Sequence, residues 1–149
     1  LGKNMNRILG GINGLTTLEA PNGKLILVGD SNLTLSVYDT DTRNSAVLGI
    51  KTLPEKCVWG KLSDIIYCAA PKSIGAGIYP DSWYQGEVSF DDQIWKMDTK
   101  TGNATLLLDP PAILKGEEID GIKLGMDDGQ QYLFFVNKKD SFLWKFDLK

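Results

Sequence analysis

The chain has 149 residues, of which 42% are hydrophobic and 23% charged, and these values suit one globular domain with its own core. Its formal net charge of −3 excludes a global basic field, so we expect no nucleic-acid partner. It contains no histidine, which excludes a Ser-His-Asp triad, a Cys-His pair or a histidine-ligated metal built from this chain alone.

Short segments of strand-like composition alternate with turns along the whole chain. A segment at 6–12 comes first. The first unit is predicted to hold strands at 15–19, 24–29, 33–38 and 45–50. The second is predicted to hold strands at 56–60, 64–69, 93–97 and 104–108, with a long insertion at 72–92. The third is predicted to hold strands at 121–125, 131–136 and 141–148. These apolar runs are far shorter than the roughly 20 residues of a membrane span, so none is expected.

The three units repeat one pattern, in which an apolar and aromatic strand ends in Asp39, Asp98 or Asp147. Repeats of about 40–50 residues that each carry several strands are typical of propeller blades. We therefore predict an all-β, β-propeller-type fold with three four-stranded blades in a single domain, residues 1–149. The approximate blade boundaries are 13–51, 53–109 and 119–149.

The strand count is uneven, because the third unit stops after three strands while the segment 6–12 has no partner of its own. Leu9 to Ile12 before Leu15 echoes Leu48 to Ile50 before Leu53, so the segment is predicted to be a fourth strand. Either this strand or another chain would complete the last blade. Since ordinary rings have about 4–8 blades, the chain is either a homodimer through open blade edges or a piece of a larger propeller. It begins with Leu1 rather than Met, so we expect that the natural N-terminus was removed.

Two hairpin turns, at 39–44 and 98–103, share an Asp-Thr-x-Thr-x-Asn sequence. Asp and Thr side chains in such turns cap their own backbone, and Asn44 or Gly102 is suited to a positive φ. The turns lack the acidic density and spacing of a calcium loop, so we interpret them as structural and predict no metal site.

The segments from Glu19 to Val28 and from Gly125 to Phe135 resemble the WD40-like repeat of TolB-type β-propellers, which reads approximately Ser-Pro-Asp-Gly-Lys before an apolar strand. The middle unit departs from this pattern, since Gly60 to Asp64 lacks both Pro and Gly after its first residue. Stretches at 53–59, 70–73 and 79–86 are similar to uncharacterised bacterial surface propellers. The resemblance implies a fold and an extracytoplasmic or cell-surface location, with a cytoplasmic one as the alternative, but no particular activity.

Cys57 and Cys68 flank a short hairpin. If Leu62 and Ser63 centre its turn, the two cysteines lie directly opposite each other on adjacent strands. This register predicts a disulfide. The alternative is two buried thiols in a cytoplasmic protein.

The insertion 72–92 is the best functional candidate, because long loops on rigid scaffolds commonly bind ligands. Its aromatic residues alternate with polar ones, and exposed Trp and Tyr suit a protein, peptide or glycan. The tentative ligand-binding residues are Tyr79, Asp81, Trp83, Tyr84, Gln85 and Glu87. The alternative is that the aromatic side chains, Phe90 included, fold back and pack the loop itself.

Four carboxylates of the insertion, Asp81, Glu87, Asp91 and Asp92, also allow a glycosidase hypothesis, although loop carboxylates are usually solvated. Trp59, Trp95 and Trp144 are predicted to be core residues between strands and blades. The connector 115–120, which carries Glu117, Glu118 and Asp120, is interpreted as a solvated charge cluster.

The sequence thus predicts a non-catalytic binding or scaffolding module that recognises a protein, peptide or glycan through the face of the insertion 72–92. No catalytic residue and no cofactor are implied. Two alternatives stay open, a glycan-active hydrolase or lyase that uses the loop carboxylates, and an inactive fragment of a larger propeller.

Overall fold

Strands dominate the computed structural model, which describes residues 2–149 and leaves Leu1 outside the described residues. The first sheet is β1 (Thr16–Glu19), β2 (Leu25–Gly29), β3 (Thr34–Asp39) and β4 (Ser45–Lys51). The second sheet is β5 (Cys57–Trp59), β6 (Ile65–Pro71), β7 (Asp92–Asp98) and β8 (Ala104–Leu108). The third sheet is β9 (Gly121–Met126), β10 (Tyr132–Asn137) and β11 (Leu143–Asp147). The all-β prediction is confirmed.

Each sheet is an antiparallel meander in which sequence neighbours pair in order. Helix is limited to short turns: a 3₁₀ turn (Pro54–Lys56), α1 (Asp81–Tyr84) and α2 (Pro110–Ile113). Among residues 2–149, no helix is long and apolar enough to cross a membrane.

The three sheets are stacked with the second sheet in the middle, and alternate side chains along each strand point to opposite faces of its sheet. On β2 and β3, Leu27 and Val37 face the second sheet and pack against residues such as Ile66 and Met97. On its other face the second sheet presents Ile94, which packs in a cluster with residues of the third sheet. The period-2 pattern therefore supplies two apolar layers between three sheets.

The two ends of the stack differ in what they carry. One end carries the short hairpin turns, which contact each other: Asn22 N–H donates to Ser63 Oγ at 3.1 Å, and Lys61 N–H donates to Gln130 Oε1 at 2.9 Å. The opposite end carries the longer segments 52–56, 72–91 and 109–120, and we call it the connector end.

Two of the repeat aspartates, Asp39 and Asp98, cap the turns that follow them, as predicted. Asp39 Oδ1 accepts from the N–H of Asp41 at 2.8 Å, and Asp98 Oδ1 from that of Lys100 at 2.8 Å. In the second turn Gly102 has the positive φ of 74°, but in the first turn it is Arg43, at the same offset, rather than Asn44. The offset from the aspartate, and not the residue type, decides which residue adopts the left-handed conformation.

The predicted disulfide is confirmed. Cys57 pairs directly with Cys68 in the β5–β6 register, their Cα atoms are 4.1 Å apart, and the two sulfur atoms are bonded. Closing a loop of this length restricts the unfolded chain and contributes about 2–3 kcal/mol in the chain-entropy account.

The predicted strand at 6–12 does not form, and the third sheet has three strands among the described residues. Gly11 has a φ of +72°, a left-handed conformation that interrupts an extended strand. The segment is largely exposed, and the Tyr38 hydroxyl of the first sheet donates to its Ile8 O at 2.9 Å. Without a neighbouring strand, its backbone has no ladder to join.

Candidate functional site

The insertion folds back onto the connector end and builds a small aromatic core there. Tyr79, Trp83 and Phe90 are 6%, 4% and 2% exposed, and they pack with the buried Leu33 and Leu53 from the loops of the first sheet. The ring centroids of Trp83 and Phe90 lie 6.1 Å apart in a stacked arrangement. These three side chains therefore follow the alternative prediction, in which the aromatic residues fold back and pack the loop itself.

Helix α1 decides which side chains of the insertion point inward. The hydroxyl oxygen of the buried Ser82 accepts a hydrogen bond from Ile78 N–H at 3.0 Å, and the backbone carbonyl oxygen of Ser82 accepts one from Glu87 N–H at 2.9 Å. This closed turn sends Trp83 into the core and leaves its neighbour Tyr84 half exposed.

A fully buried ion cluster lies beneath these rings. The Nζ of Lys56 is 2.5 Å from Asp120 Oδ1, 2.8 Å from Asp92 Oδ2 and 2.9 Å from the carbonyl oxygen of Gly121. The side chains of Lys56 and both aspartates are 0% exposed. The cluster joins three elements, because Lys56 ends the 3₁₀ turn, Asp92 begins β7 and Asp120 precedes β9.

The cluster also holds the insertion in place. Asp120 Oδ2 accepts from the indole N–H of Trp83 at 2.9 Å and from the backbone N–H of Phe90 at 3.1 Å. The ammonium group of Lys56 lies 4.9 Å from the centroid of the Trp83 ring, within the range of a cation–π interaction. One carboxylate thus connects the lysine, the insertion and the third sheet.

When both carboxylates are ionised, they outnumber the single ammonium group of Lys56, and the buried cluster has a net negative charge. Burial raises the pKa of Asp92 to about 6 despite the opposing attraction of Lys56. Burial also acts to raise the pKa of Asp120, but the charge and hydrogen bond of Lys56, together with the hydrogen bonds from Phe90 and Trp83, outweigh it, and that pKa lies below its usual range. Asp92 Oδ1 is buried without a hydrogen-bond partner among the described residues, whereas Asp92 Oδ2 is held by Lys56 Nζ at 2.8 Å and by the backbone N–H of Gly121 at 2.7 Å.

Asp92 should make stability depend on pH. Its folded pKa of about 6 exceeds the ordinary 3.8, so between these values the folded chain keeps a proton that the unfolded chain releases. This contribution is present at pH 4 and is lost as the pH rises through 6, at a cost of about 2–3 kcal/mol. We expect Asp92→Asn to remove this dependence. In urea unfolding curves, the free energy of unfolding of the variant should therefore rise relative to that of the wild type between pH 4 and pH 7. A constant difference across this range would contradict the assignment, and the exposed Asp81→Asn serves as control.

A cleft opens at the surface where the insertion meets β9. It encloses about 290 Å³ and is lined by Glu55, Trp83, Tyr84, Ile122, Lys123 and Lys138. The hydroxyl of Tyr84 donates to the carboxylate of Glu55, and burial together with this bond raises the pKa of Tyr84. The cleft therefore offers a half-exposed aromatic ring beside charged groups of both signs.

Lys138 fixes the floor of this cleft. Its Nζ donates to the carbonyl oxygen of Trp83 at 2.5 Å and lies 4.1 Å from the centroid of the Trp83 ring. Lys123, on β9, is exposed. Two lysines and one glutamate give the cleft a formal charge of opposite sign to that of the whole chain.

The structure distributes the predicted site residues among three places. Trp83 and Tyr84 line the cleft, while Tyr79 lies inside the aromatic core. The remaining three are exposed and do not line the cleft: Asp81, Gln85 and Glu87.

Sequence reasoning missed the buried cluster and most of the cleft. Asp120 was expected to be solvated with the rest of its connector, but it is 0% exposed. Lys56 gave no sign of burial, since a lone lysine next to a glutamate is normally at the surface. The one available signal was position, because Lys56, Asp92 and Asp120 each stand at the start of a strand.

No family model matches this chain, and no curated protein matches it. Among solved structures, that of the tricorn protease aligns with 83% of this chain at a TM-score of 0.57 and 12% sequence identity, over 11% of its own length. The structure of the computationally designed Ika4 protein aligns with 91% of this chain at a TM-score of 0.52 and 16% identity, over 64% of its length. The chain therefore spans less than two thirds of either protein. At these identities the likeness concerns the fold alone.

Proposed function

We propose that the chain is a β-propeller-type, non-catalytic binding module that recognises a peptide or glycan bearing an acidic group at the cleft of the connector end. The propeller arrangement is supported by the order of the three meander sheets, by the apolar layers between them and by the likeness to the propeller-containing tricorn protease. A TolB-type relationship, suggested by the turns at 19–28 and 125–135, belongs to the same proposal.

The observation that carries the binding function is the exposed ring of Tyr84 in a cleft whose floor is fixed. Trp83 beneath it is buried, and its carbonyl oxygen is bound by Lys138. A preorganised cleft binds without the cost of ordering a loop. At about 290 Å³, it is at the lower end of ligand pockets and suits one amino-acid side chain or one sugar ring.

The charges of the cleft indicate the chemistry of the ligand. The ammonium group of Lys123 is exposed, while the carboxylate of Glu55 already accepts a hydrogen bond from Tyr84. An incoming carboxylate would pair with the lysines, and the ring of Tyr84 would pack on a sugar ring or an aliphatic side chain.

Titration with matched probes tests this function. The probes are a uronic-acid disaccharide and a short Glu-rich peptide, each with its neutral counterpart, and binding is measured by calorimetry. We expect one acidic probe to bind with a dissociation constant below about 1 mM and its neutral counterpart to bind less tightly. Tyr84→Ala should weaken binding about tenfold, because it removes the exposed ring.

The matched control is Leu62→Ala, which changes a side chain that is 79% exposed at the opposite end of the sheets. It should leave the affinity unchanged. Equal binding by wild type and Tyr84→Ala, or no binding of either acidic probe, would make the proposed cleft wrong.

The glycan-active alternative has no observation in its favour. Of its four carboxylates, Asp92 is buried against Lys56 and Asp91 lies 3.5 Å from Lys72, while Asp81 and Glu87 are exposed. A location outside the cytoplasm also belongs to this proposal, and the Cys57–Cys68 disulfide supports it because such bonds persist in oxidising compartments.

A further inference from the structure

The face of the first sheet that points away from the second has no neighbouring sheet among the described residues. Leu27 and Val37 pack toward the second sheet, so strand alternation turns Ile26, Val28 and Tyr38 to the opposite face. On this outer face Ile26 is half-buried, whereas Val28 and Tyr38 are 4% and 6% exposed and so are already covered by this chain.

The third sheet has an equivalent outer face. Leu133 and Phe135 pack toward the second sheet, which turns Tyr132, Phe134 and Val136 outward. These three side chains are half-buried. The stack of sheets therefore has apolar residues on both outer sides, and among residues 2–149 neither side faces another sheet.

Among residues 2–149, β11 is an edge strand of the third sheet, which has three strands where the other two sheets have four. Asn137 N–H donates to Phe142 O and Leu148 N–H donates to Gln131 O, both at 2.9 Å. The backbone groups of Phe142 and Leu148 therefore point toward β10. By alternation, the N–H and C=O of Lys145 point to the free edge. In the first and second sheets this edge is covered by β4 and β8.

The segment 6–12 lies beside the first sheet without joining it as a strand. Tyr38 precedes its repeat aspartate just as Met97 does in the second sheet. Met97 packs in one cluster with Leu48 and Ile50 of β4, the outer strand of the preceding sheet. Tyr38 correspondingly contacts Ile8. The segment thus relates to the first sheet as β4 relates to the second.

We infer that two copies of this chain associate reciprocally. Segment 6–12 of each copy adds as the fourth strand to the free edge of β11 in the other, and the outer face of the third sheet packs on the outer face of the partner's first sheet. Two such contacts would close a ring of six four-stranded sheets. This inference rests on the propeller-type arrangement proposed above.

A second copy is the occupant that the observations favour, because one chain carries both halves of the contact. Among residues 2–149, the third sheet has three strands and the strand-like segment 6–12 pairs with no strand. The repeat match between 6–12 and β4 fixes which edge the segment fits, and the two outer faces are both apolar. An unrelated partner would need to supply a strand and an apolar sheet face together.

The absolute mass of the 149-residue chain in solution, measured by light scattering behind a sizing column, tests the inference. We expect the mass of two 16.4 kDa chains. Lys145→Pro should convert the protein to a monomer, since it removes an edge N–H without breaking a β10–β11 bond. Its control, Lys145→Ala, keeps that N–H and should remain a dimer.

A second pair of variants tests the sheet face. Phe134→Lys should also give a monomer, whereas Val47→Lys, at a side chain 71% exposed on β4, should remain a dimer. Circular dichroism verifies that each variant is folded. A monomeric wild type, a mass above two chains, or folded Lys145→Pro and Phe134→Lys variants that both stay dimeric would overturn the inference. The cleft lies within one chain, so a monomer that still binds the acidic probe would overturn the dimer and leave the binding function standing.

Discussion

Replacement of Lys56 by methionine is expected to lower the free energy of unfolding by about 3–5 kcal/mol at pH 7, the largest effect of any single charge in this chain. The variant keeps the volume of the side chain but leaves Asp92 and Asp120 buried without their counter-ion. Removing one partner of a buried ion pair costs more than the pair itself contributes, because the remaining charge is desolvated and unpaired. Here two carboxylates are left.

The measurement is urea unfolding of wild type and Lys56→Met at pH 7 and pH 4. The loss should be smaller at pH 4, where the two carboxylates can protonate and become neutral. Lys24→Met is the control, since Lys24 forms an ion pair with Asp41 in which the side chains are 64% and 62% exposed. It should cost less than about 1 kcal/mol. An equally small loss for Lys56→Met would show that the cluster is hydrated rather than buried.

Replacement of Trp83 by alanine is expected to cost about 3–5 kcal/mol, the usual range for a buried aromatic side chain. Two effects combine here. The variant leaves a cavity between Phe90 and Leu53 in the aromatic core, and it removes the indole N–H that donates to the buried carboxylate of Asp120. The insertion should therefore loosen from the third sheet.

Tyr84→Ala is the matched control for Trp83→Ala, because it removes the neighbouring aromatic residue at a side chain that is 50% exposed. Urea unfolding should show a loss below about 1 kcal/mol for Tyr84→Ala. Hydrogen exchange should show faster exchange of the amides of the insertion in Trp83→Ala alone. A Trp83→Ala variant as stable as wild type would instead identify Trp83 as a surface residue available to a ligand.

Local rules were enough to derive the strands, their turns and the disulfide. Alternation of apolar and polar residues set the strand faces, and the turn at Leu62 and Ser63 set the register that brings Cys57 opposite Cys68. The repeat of Asp39 and Asp98 gave the capped turns that the structure contains. These features depend on neighbours within a few residues or across one hairpin.

The strand predicted at 6–12 does not form, because local sequence patterns do not decide whether a segment has a neighbouring strand to pair with. Its composition and its match to β4 favour a strand, but a strand also needs a neighbour that supplies hydrogen bonds. Among residues 2–149 no strand pairs with the segment 6–12, and its backbone adopts a left-handed conformation at Gly11 instead.

The sequence by itself determined an all-β chain of three repeated meanders with one disulfide, because period-2 patterning and turn chemistry act over short distances. Only the tertiary structure decided that the insertion is half core and half cleft, and that Lys56 meets Asp92 and Asp120 across 36 and 64 positions of sequence. A charged side chain carries no local sign of burial. Its environment is set by which segments the three sheets bring to the same end, and that depends on packing between elements far apart in the chain.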